Sequence, residues 1–177
     1  PIVLDDDYKV EIVGEGFTLP SSIIFIDDQM FVMELSSGKI IKILDNGIVQ
    51  KKPVLDVSVA PYTNLCAGCG LLGIANLEGD FYIFHTTNPE NMEDRVNIVI
   101  KYRYDGVSFV EPIILKELHG SQLDHNGGAM TVGINNDVYF TIGDQNVVSE
   151  YVDFPANEKW TYASDLETIV AGAEYDV

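Results

Sequence analysis

The sequence has little positive charge. Ten lysines and arginines stand against 28 aspartates and glutamates, and only two residues, Arg95 and Arg103, are arginines. A net charge of −18 at pH 7 leaves no basic surface for nucleic acid or an anionic membrane, so we expect neither as a partner. No stretch approaches the roughly 20 apolar residues of a membrane-spanning helix, so we expect no membrane insertion. A start at Pro1 rather than Met favours a processed protein, extracellular or periplasmic.

Cysteine is also scarce. The two cysteines, Cys66 and Cys69, lie in the segment NLCAGCGLLG. A c-type haem site needs a histidine directly after the second cysteine, where Gly70 stands, and a structural zinc site needs two further ligands nearby. A small disulfide ring in an exported protein is the interpretation we favour. Two free thiols and a redox-active pair remain as alternatives, although the βαβ pattern expected around a redox pair is missing.

Helical periodicity is almost absent, and alternation of apolar and polar residues replaces it. With 46% hydrophobic residues the chain can build a buried core. The first four predicted strands form a meander: 22–28, 29–35, 39–44 and 48–57. Asn46-Gly47 predicts the hairpin turn before the fourth strand, because both residues tolerate positive φ. Pro53 predicts that this fourth strand is at an edge, where no amide donor is needed.

The same pattern recurs along the chain. Strands are predicted at 70–77, 80–87, 96–104 and 107–115, then at 127–134 and 137–143, with less regular segments up to residue 177. The repeats start near residues 22, 70 and 127, a period of about fifty that is typical of β-propeller blades.

We therefore predict a single all-β domain over 1–177, a partial six-bladed propeller. It would hold about three four-stranded antiparallel blades at 22–58, 70–116 and 127–177, with 8–17 as a possible ring-closing strand. The alternative is a β-sandwich with strands of similar length.

One segment combines ionisable residues with glycines ahead of a predicted inner strand: DHNGG, residues 124–128. Inner strands of a propeller line its central channel, so a loop that enters one opens towards the axis. Histidine titrates near neutrality and suits proton removal, and an adjacent carboxylate can orient an imidazole or raise its basicity. The alternative is a solvated or turn-capping Asp-His pair without chemistry. His85, within a strand, is predicted to be packed, and we assign His119 no role.

The stretches LPSSIIFIDDQMFVMEL, GLLGIA, VIKYRYDG and DHNGGAMTVGINNDVYFTIGDQ resemble the glucose/sorbosone dehydrogenase family. Its members are soluble quinoproteins on a six-bladed propeller, and they use pyrroloquinoline quinone (PQQ) and calcium. The resemblance runs from about residue 8 to residue 146 in the order and spacing of the family.

The resemblance implies a role for each residue of the motif. His125 would be the general base that takes the proton from a sugar's anomeric hydroxyl while hydride passes to PQQ. Asp124 would contact the sugar and the cofactor, and Asn126 and Gly127 would be neighbouring contacts. Asp144 is either a cofactor-side contact or a turn-stabilising residue. No metal ligand is assigned to this chain.

The chain also departs from the family. The arginine, the calcium ligands and further PQQ contacts of the family lie on later blades, which have no counterpart here, and Gly68 stands where some members have glutamine. We therefore expect weak PQQ binding by this chain alone. We also expect a homo-oligomer or a second chain to complete the ring. The alternative is a non-catalytic extracellular scaffold for assembly or carbohydrate binding.

Overall fold

The computed structural model describes residues 7–45, 47–63, 66, 68–91, 94–118 and 125–143. Within these ranges the chain forms antiparallel strands and no α-helix, which confirms the all-β prediction. The strands are β1 (Pro20–Ile26), β2 (Gln29–Glu34), β3 (Lys39–Ile43), β4 (Leu55–Asp56), β5 (Leu71–Leu77), β6 (Asp80–Thr86), β7 (Asn97–Tyr104), β8 (Phe109–Leu118), β9 (Met130–Val132) and β10 (Val138–Phe140). No helix of this part of the chain is therefore long and apolar enough to cross a membrane.

The strands form three sheets. The first has the order β1-β2-β3-β4, the second β5-β6-β7-β8, and the third contains β9 and β10. Each four-stranded sheet is a meander in which sequence neighbours pair, as the hairpin signals predicted. At the Asp105–Gly106 turn, the Asp105 carboxylate accepts hydrogen bonds from the amides of Val107 and Ser108 (2.9 and 2.8 Å). These two bonds lower the pKa of Asp105 and fix the entry into β8.

The outer strand of the first sheet is shorter than predicted. Only Leu55–Asp56, which form β4, make a continuous ladder with β3. Earlier in the chain, Val49 also pairs with Ile43 of β3 through an isolated bridge. The Val54 amide then donates to the Ile40 carbonyl (2.8 Å). The residues around Pro53 interrupt this ladder because proline has no amide hydrogen to donate. Pro112 has the same effect in β8, where the register against β7 shifts between Lys101 and Arg103.

The main core lies between the first and second sheets. Its fully buried members include Phe31, Met33, Ile40, Leu71, Phe81 and Ile83. Phe81 contacts the ring of Phe109 edge-on at 4.8 Å, and Phe31 of the first sheet contacts Tyr104 of the second at 5.5 Å. Such edge-on aromatic pairs add roughly 0.5–1.5 kcal/mol each to the area they bury. Face-to-face packing of neighbouring sheets therefore holds this part of the fold together.

The first strands of the three sheets lie side by side, because β5 contacts both β1 and β9. The Leu71 amide at the start of β5 donates to the Leu35 carbonyl just after β2 (2.8 Å), which fixes the two sheets to each other. This is how inner strands are arranged in a propeller. The sheets form an open array, and the number of blades remains a prediction.

Two predicted segments remain: residues 8–17, which differ from their predicted structure, and the residues after 143, which lie outside the described part of the chain. Residues 8–17 form no strand; their residues Ile12 and Val13 line a cavity of about 580 Å³ together with Phe25 and Ile43 of the first sheet. Their ring-closing role remains a prediction. The predicted strands of the third repeat after residue 143 lie outside the described residues.

Candidate functional site

The candidate site is the loop 125–128, which leads into β9. Three of its four residues have left-handed backbone angles: φ is 54° at His125, 79° at Gly127 and 97° at Gly128. A glycine adopts these angles at little cost, whereas a side chain such as that of His125 does so rarely. The loop is tied to the segment after β10, because the Gly128 amide donates to the Thr141 carbonyl (2.8 Å) and the Thr141 amide to the Ala129 carbonyl (2.9 Å).

Two glycines outside the loop let other backbone segments approach it closely. A Cβ atom on Gly73, in β5, would lie 1.7 Å from the carbonyl oxygen of Gly128. A Cβ atom on Gly143 would lie 1.9 Å from the carbonyl oxygen of His125. Any side chain at either position would have to displace backbone. The loop is therefore held between the innermost strand of the second sheet and the chain that follows β10.

His125 itself is exposed, as is Gly127. Its backbone is packed while its side chain meets solvent, an arrangement that leaves an imidazole accessible to a small molecule. Asp124, predicted to contact the sugar and the cofactor, and Asp144, predicted to be a cofactor-side contact or a turn-stabilising residue, are outside the described residues. Their predicted contacts with sugar or cofactor stay predictions.

Asn126 lies in a different environment: it is 1% exposed and its amide group is hydrogen-bonded inside the protein. Its Oδ1 accepts from Nδ2 of Asn97 (2.8 Å), and its Nδ2 donates to the carbonyl of Gly68 (2.9 Å). Asn97 in turn accepts a hydrogen bond from the hydroxyl of Thr86 (2.8 Å). Asn126 thus connects the loop to the ends of β6 and β7 and to the segment between the two cysteines.

Cys66 and Cys69 form the predicted disulfide, with Cα atoms 5.4 Å apart. Arg95 is buried beside it, and its Nη1 lies 3.4 Å from Sγ of Cys66 and 3.7 Å from Sγ of Cys69. The Nδ2 atom of Asn126 lies 3.7 Å from the same Cys69 sulfur. We call Thr86, Arg95, Asn97, Asn126 and the disulfide the Asn126 cluster.

Sequence reasoning did not find Thr86, Arg95 or Asn97. One signal was available: Asn97 shares a face of β7 with Val99, so a polar residue occupies a position where the alternation calls for an apolar one. An amide placed at a buried position of a strand indicates a polar partner across the packing interface. That partner, Asn126, is far away in the sequence, and no local pattern connects the two.

His85 is packed, as predicted, with 3% of its surface exposed. Neither of its ring nitrogens has a hydrogen-bond partner among the described residues. Burial lowers the pKa of His85, because desolvation disfavours the charged imidazole. The backbone of Thr86 lies near the ring and raises the pKa to a smaller extent, although its geometry is not that of a hydrogen bond. This neutral, enclosed imidazole is not in a position to act on a substrate.

The described residues fit only one side of a PQQ site. They offer an exposed imidazole and a glycine-rich backbone that a planar ligand can approach closely. A cofactor with several carboxylates also needs cations, and both arginines are engaged elsewhere. Arg95 is buried against the disulfide, and Arg103 forms an ion pair with Glu111 (2.8 Å) towards the opposite end of β7. Further positive charge would have to come from outside these residues.

In the part of the chain that the structure describes, no three His, Cys, Asp or Glu side chains lie close enough together to hold a calcium ion. Calcium therefore remains an implication of the sequence resemblance.

No protein-family model and no curated protein matches this sequence. Among solved structures, the fold is similar to the PQQ-bound form of an aldose sugar dehydrogenase from Streptomyces coelicolor, with a TM-score of 0.56 and 18% sequence identity. The similarity covers 73% of this chain and 39% of that one, so the chain spans about two fifths of the enzyme's length. At this identity the similarity shows a related fold and leaves the chemistry to the residues themselves.

Proposed function

We propose that this chain is part of a PQQ-dependent sugar dehydrogenase-like propeller that oxidises the anomeric hydroxyl of an aldose. One observation carries the proposal. An exposed histidine lies on a glycine-rich loop that is packed against the innermost strand of the second sheet, in a fold similar to that of an aldose sugar dehydrogenase. An imidazole at the rim of a propeller axis is where a sugar and a planar cofactor would meet.

In this proposal His125 is the general base. Its side chain is exposed while its backbone is fixed, so the ring can accept a proton from a bound hydroxyl without the loop moving. Histidine suits this role because its unperturbed pKa lies near the working pH of most enzymes. A bound PQQ would supply the acceptor for the hydride on the carbon that bears this hydroxyl. Asp124, Gly127 and Asp144 are proposed to contact the sugar or the cofactor.

The remaining charges and the calcium site would come from further blades, supplied by a second copy, another chain or additional sequence. Hydride transfer places negative charge on the cofactor, which a cation or strong donor must stabilise. With a net charge of −18 and Arg95 buried, this chain is expected to bind PQQ weakly by itself. We further propose that the assembled protein works outside the cytoplasm.

The test is a titration of the chain with PQQ and calcium, up to millimolar concentrations, followed by dye reduction with aldoses. The expected result is a change in quinone absorbance, sugar-dependent dye reduction, and a loss of roughly 10²-fold or more in rate for His125→Gln. His119→Gln is the matched control, since we assign that histidine no role. Absence of both the absorbance change and dye reduction in the presence of calcium would refute the proposal.

A second function is favoured by a different observation. The outer face of the first sheet exposes large apolar side chains, with Ile23 57% and Phe25 63% exposed. Exposed apolar patches of this kind mark interaction surfaces. The chain would then be a non-catalytic scaffold that assembles with its own copies or binds carbohydrate.

Light scattering together with the PQQ and dye assays distinguishes this second function from the first. A scaffold is expected to form a stable, ordered oligomer that contains no bound PQQ and reduces no dye. A monomer at all accessible concentrations would count against it.

A further inference from the structure

We infer that Asn126 is a positioning residue that fixes His125, by tying the loop 125–128 to the second sheet and to the disulfide segment. The inference rests on the proposed function only where it names His125 as the base. The restraint itself follows from contacts among the described residues.

The hydrogen bonds of the Asn126 cluster run in one direction. The Thr86 hydroxyl donates to Asn97, the Asn97 amide donates to Asn126, and the Asn126 amide donates to the Gly68 carbonyl, at 2.8, 2.8 and 2.9 Å. The amides of Asn97 and Asn126 each accept on one side and donate on the other, so each bond polarises the next. Turning the Asn126 amide over would place donor against donor at Asn97. The network therefore admits one orientation of the Asn126 side chain.

Burial makes this restraint strong. Thr86 and Asn97 are 0% exposed and Asn126 is 1% exposed, so water cannot replace a broken bond without opening the packing. Arg95 and the disulfide close the same region from the side. A hydrogen bond of this kind specifies one arrangement, whereas an exposed bond exchanges with solvent.

The restraint acts on His125 because the two residues are adjacent and the loop has little stiffness of its own. His125 is in the left-handed region, which a histidine leaves readily unless its neighbours hold it. Gly127 and Gly128 on the other side contribute no side chain to pack. Asn126 is therefore the one side chain of the loop that is anchored in the protein interior.

The anchor at Gly68 lies between Cys66 and Cys69, so the disulfide holds the acceptor of the Asn126 amide. Reducing the disulfide should let the Gly68 carbonyl move and loosen His125 without any change in the loop sequence. The redox state of the two cysteines and the position of the proposed base are then coupled.

Asn126→Asp is the decisive variant, because it keeps the shape and changes one donor into an acceptor. At neutral pH a carboxylate oxygen would face the Gly68 carbonyl and the Cys69 sulfur; protonation at lower pH restores a donor there. Asn76→Asp is the matched control: Asn76 is exposed and its amide also donates to a backbone carbonyl, that of Asp80 (3.2 Å). Thr86→Val removes the first donor of this row of hydrogen bonds. It replaces Asn126→Asp as the test variant if Asn126→Asp folds poorly.

Two measurements without cofactor report how firmly the loop is held. They are the amide-exchange protection of Gly128 and Ala129 and the NMR resonances of the His125 ring, assigned with His125→Gln. Asn126→Asp is expected to lose roughly tenfold to hundredfold in protection at pH 7, to shift the His125 resonances, and to recover both as the pH falls. Thr86→Val and reduction of the disulfide should give smaller losses in the same direction. Amides in the middle of β6 and β7 should keep their protection.

The inference is wrong if Asn126→Asp leaves protection at Gly128 and the His125 resonances unchanged, or if Asn76→Asp changes them equally. These readouts separate the two proposals. If the loop loosens in Asn126→Asp but the protein neither binds PQQ nor reduces dye, the proposed function is refuted and the positioning role of Asn126 is supported. If Asn126→Asp reduces dye with an unchanged kcat/KM and pH profile, the positioning role is refuted and the proposed function is supported.

Discussion

The first and second sheets are built from the same four-stranded meander, and they differ in how they are covered. The second sheet is packed on both faces along β5 and β6, with Phe31 of the first sheet on one side and Gly128 and Phe140 near the third sheet on the other. The first sheet is fully packed on one face and partly covered on the other, where Val32 and Ile43 are buried. Its other face leaves Phe25 63% exposed beside the segment 8–17.

The difference shows that a meander of this length depends on its neighbours for stability. Four short strands have two apolar faces and cannot bury both alone, so each sheet needs one on either side. The candidate site lies against the sheet that is covered twice. That location gives the loop 125–128 a rigid support, whereas the exposed part of the first sheet around Ile23 and Phe25 is the place for an additional blade or partner.

The largest expected effect comes from breaking the covered face. Phe81→Ala is expected to lower the free energy of unfolding by about 3–5 kcal/mol, because it leaves a cavity between two sheets. Phe25→Ala, at a position 63% exposed on the partly covered face, is expected to cost less than about 0.5 kcal/mol. Urea unfolding of both variants measures the difference. Equal losses would mean that the first sheet is covered in solution.

A smaller effect is expected where the second sheet meets the candidate site. Gly73→Ala would bring a methyl group against the Gly128 carbonyl, so we expect a loss of roughly 1–3 kcal/mol and a displaced loop. Gly14→Ala, in the segment 8–17 beside the first sheet, is the control, because its methyl group would meet side chains and no backbone: the flexible end of Ile43 at 3.0 Å and the ring of Phe17 at 3.2 Å. Thermal unfolding and the His125 resonances report the two changes. A tolerated Gly73→Ala would contradict the tight packing of this interface.

The smallest expected effect concerns pH and His85, which shares a face of β6 with Phe81 and Ile83. Burial lowers its pKa in the folded state below the value of about 6.5 in the unfolded chain. The unfolded state therefore binds a proton first, and stability should fall as the pH drops below about 6.5, by at most about 1.4 kcal/mol per pH unit. His85→Leu should flatten this slope in urea unfolding between about pH 7.5 and pH 5. An unchanged slope would mean that His85 is solvated in the native state.

Much of the strand pattern could be predicted from the sequence. Alternation and Asx-Gly turns located β1 to β3 and β5 to β7 to within two residues at each end, because hairpins are local structures. The outer strand β4 was predicted too long, since the effect of Pro53 on a ladder depends on what its neighbours pair with. The disulfide was a favoured interpretation and is confirmed.

The site was predicted less completely. His125 and its glycines were found because the motif is contiguous in the sequence. Asn126 was predicted beside the cofactor, and only the fold reveals its buried bonds with Asn97 and Gly68, which come from residues 29 and 58 positions away. The two arginines were noted as rare, but no pattern indicated that Arg95 is buried against the disulfide.

The sequence by itself determined the strands, their meander order and the loop that carries His125, because alternation, turn residues and short spacing act between neighbours along the chain. Only the tertiary structure decided which faces are covered, where Arg95 is buried, and that Asn126 is anchored in the interior. Those outcomes depend on residues that are distant in the sequence and meet only when whole sheets pack against each other.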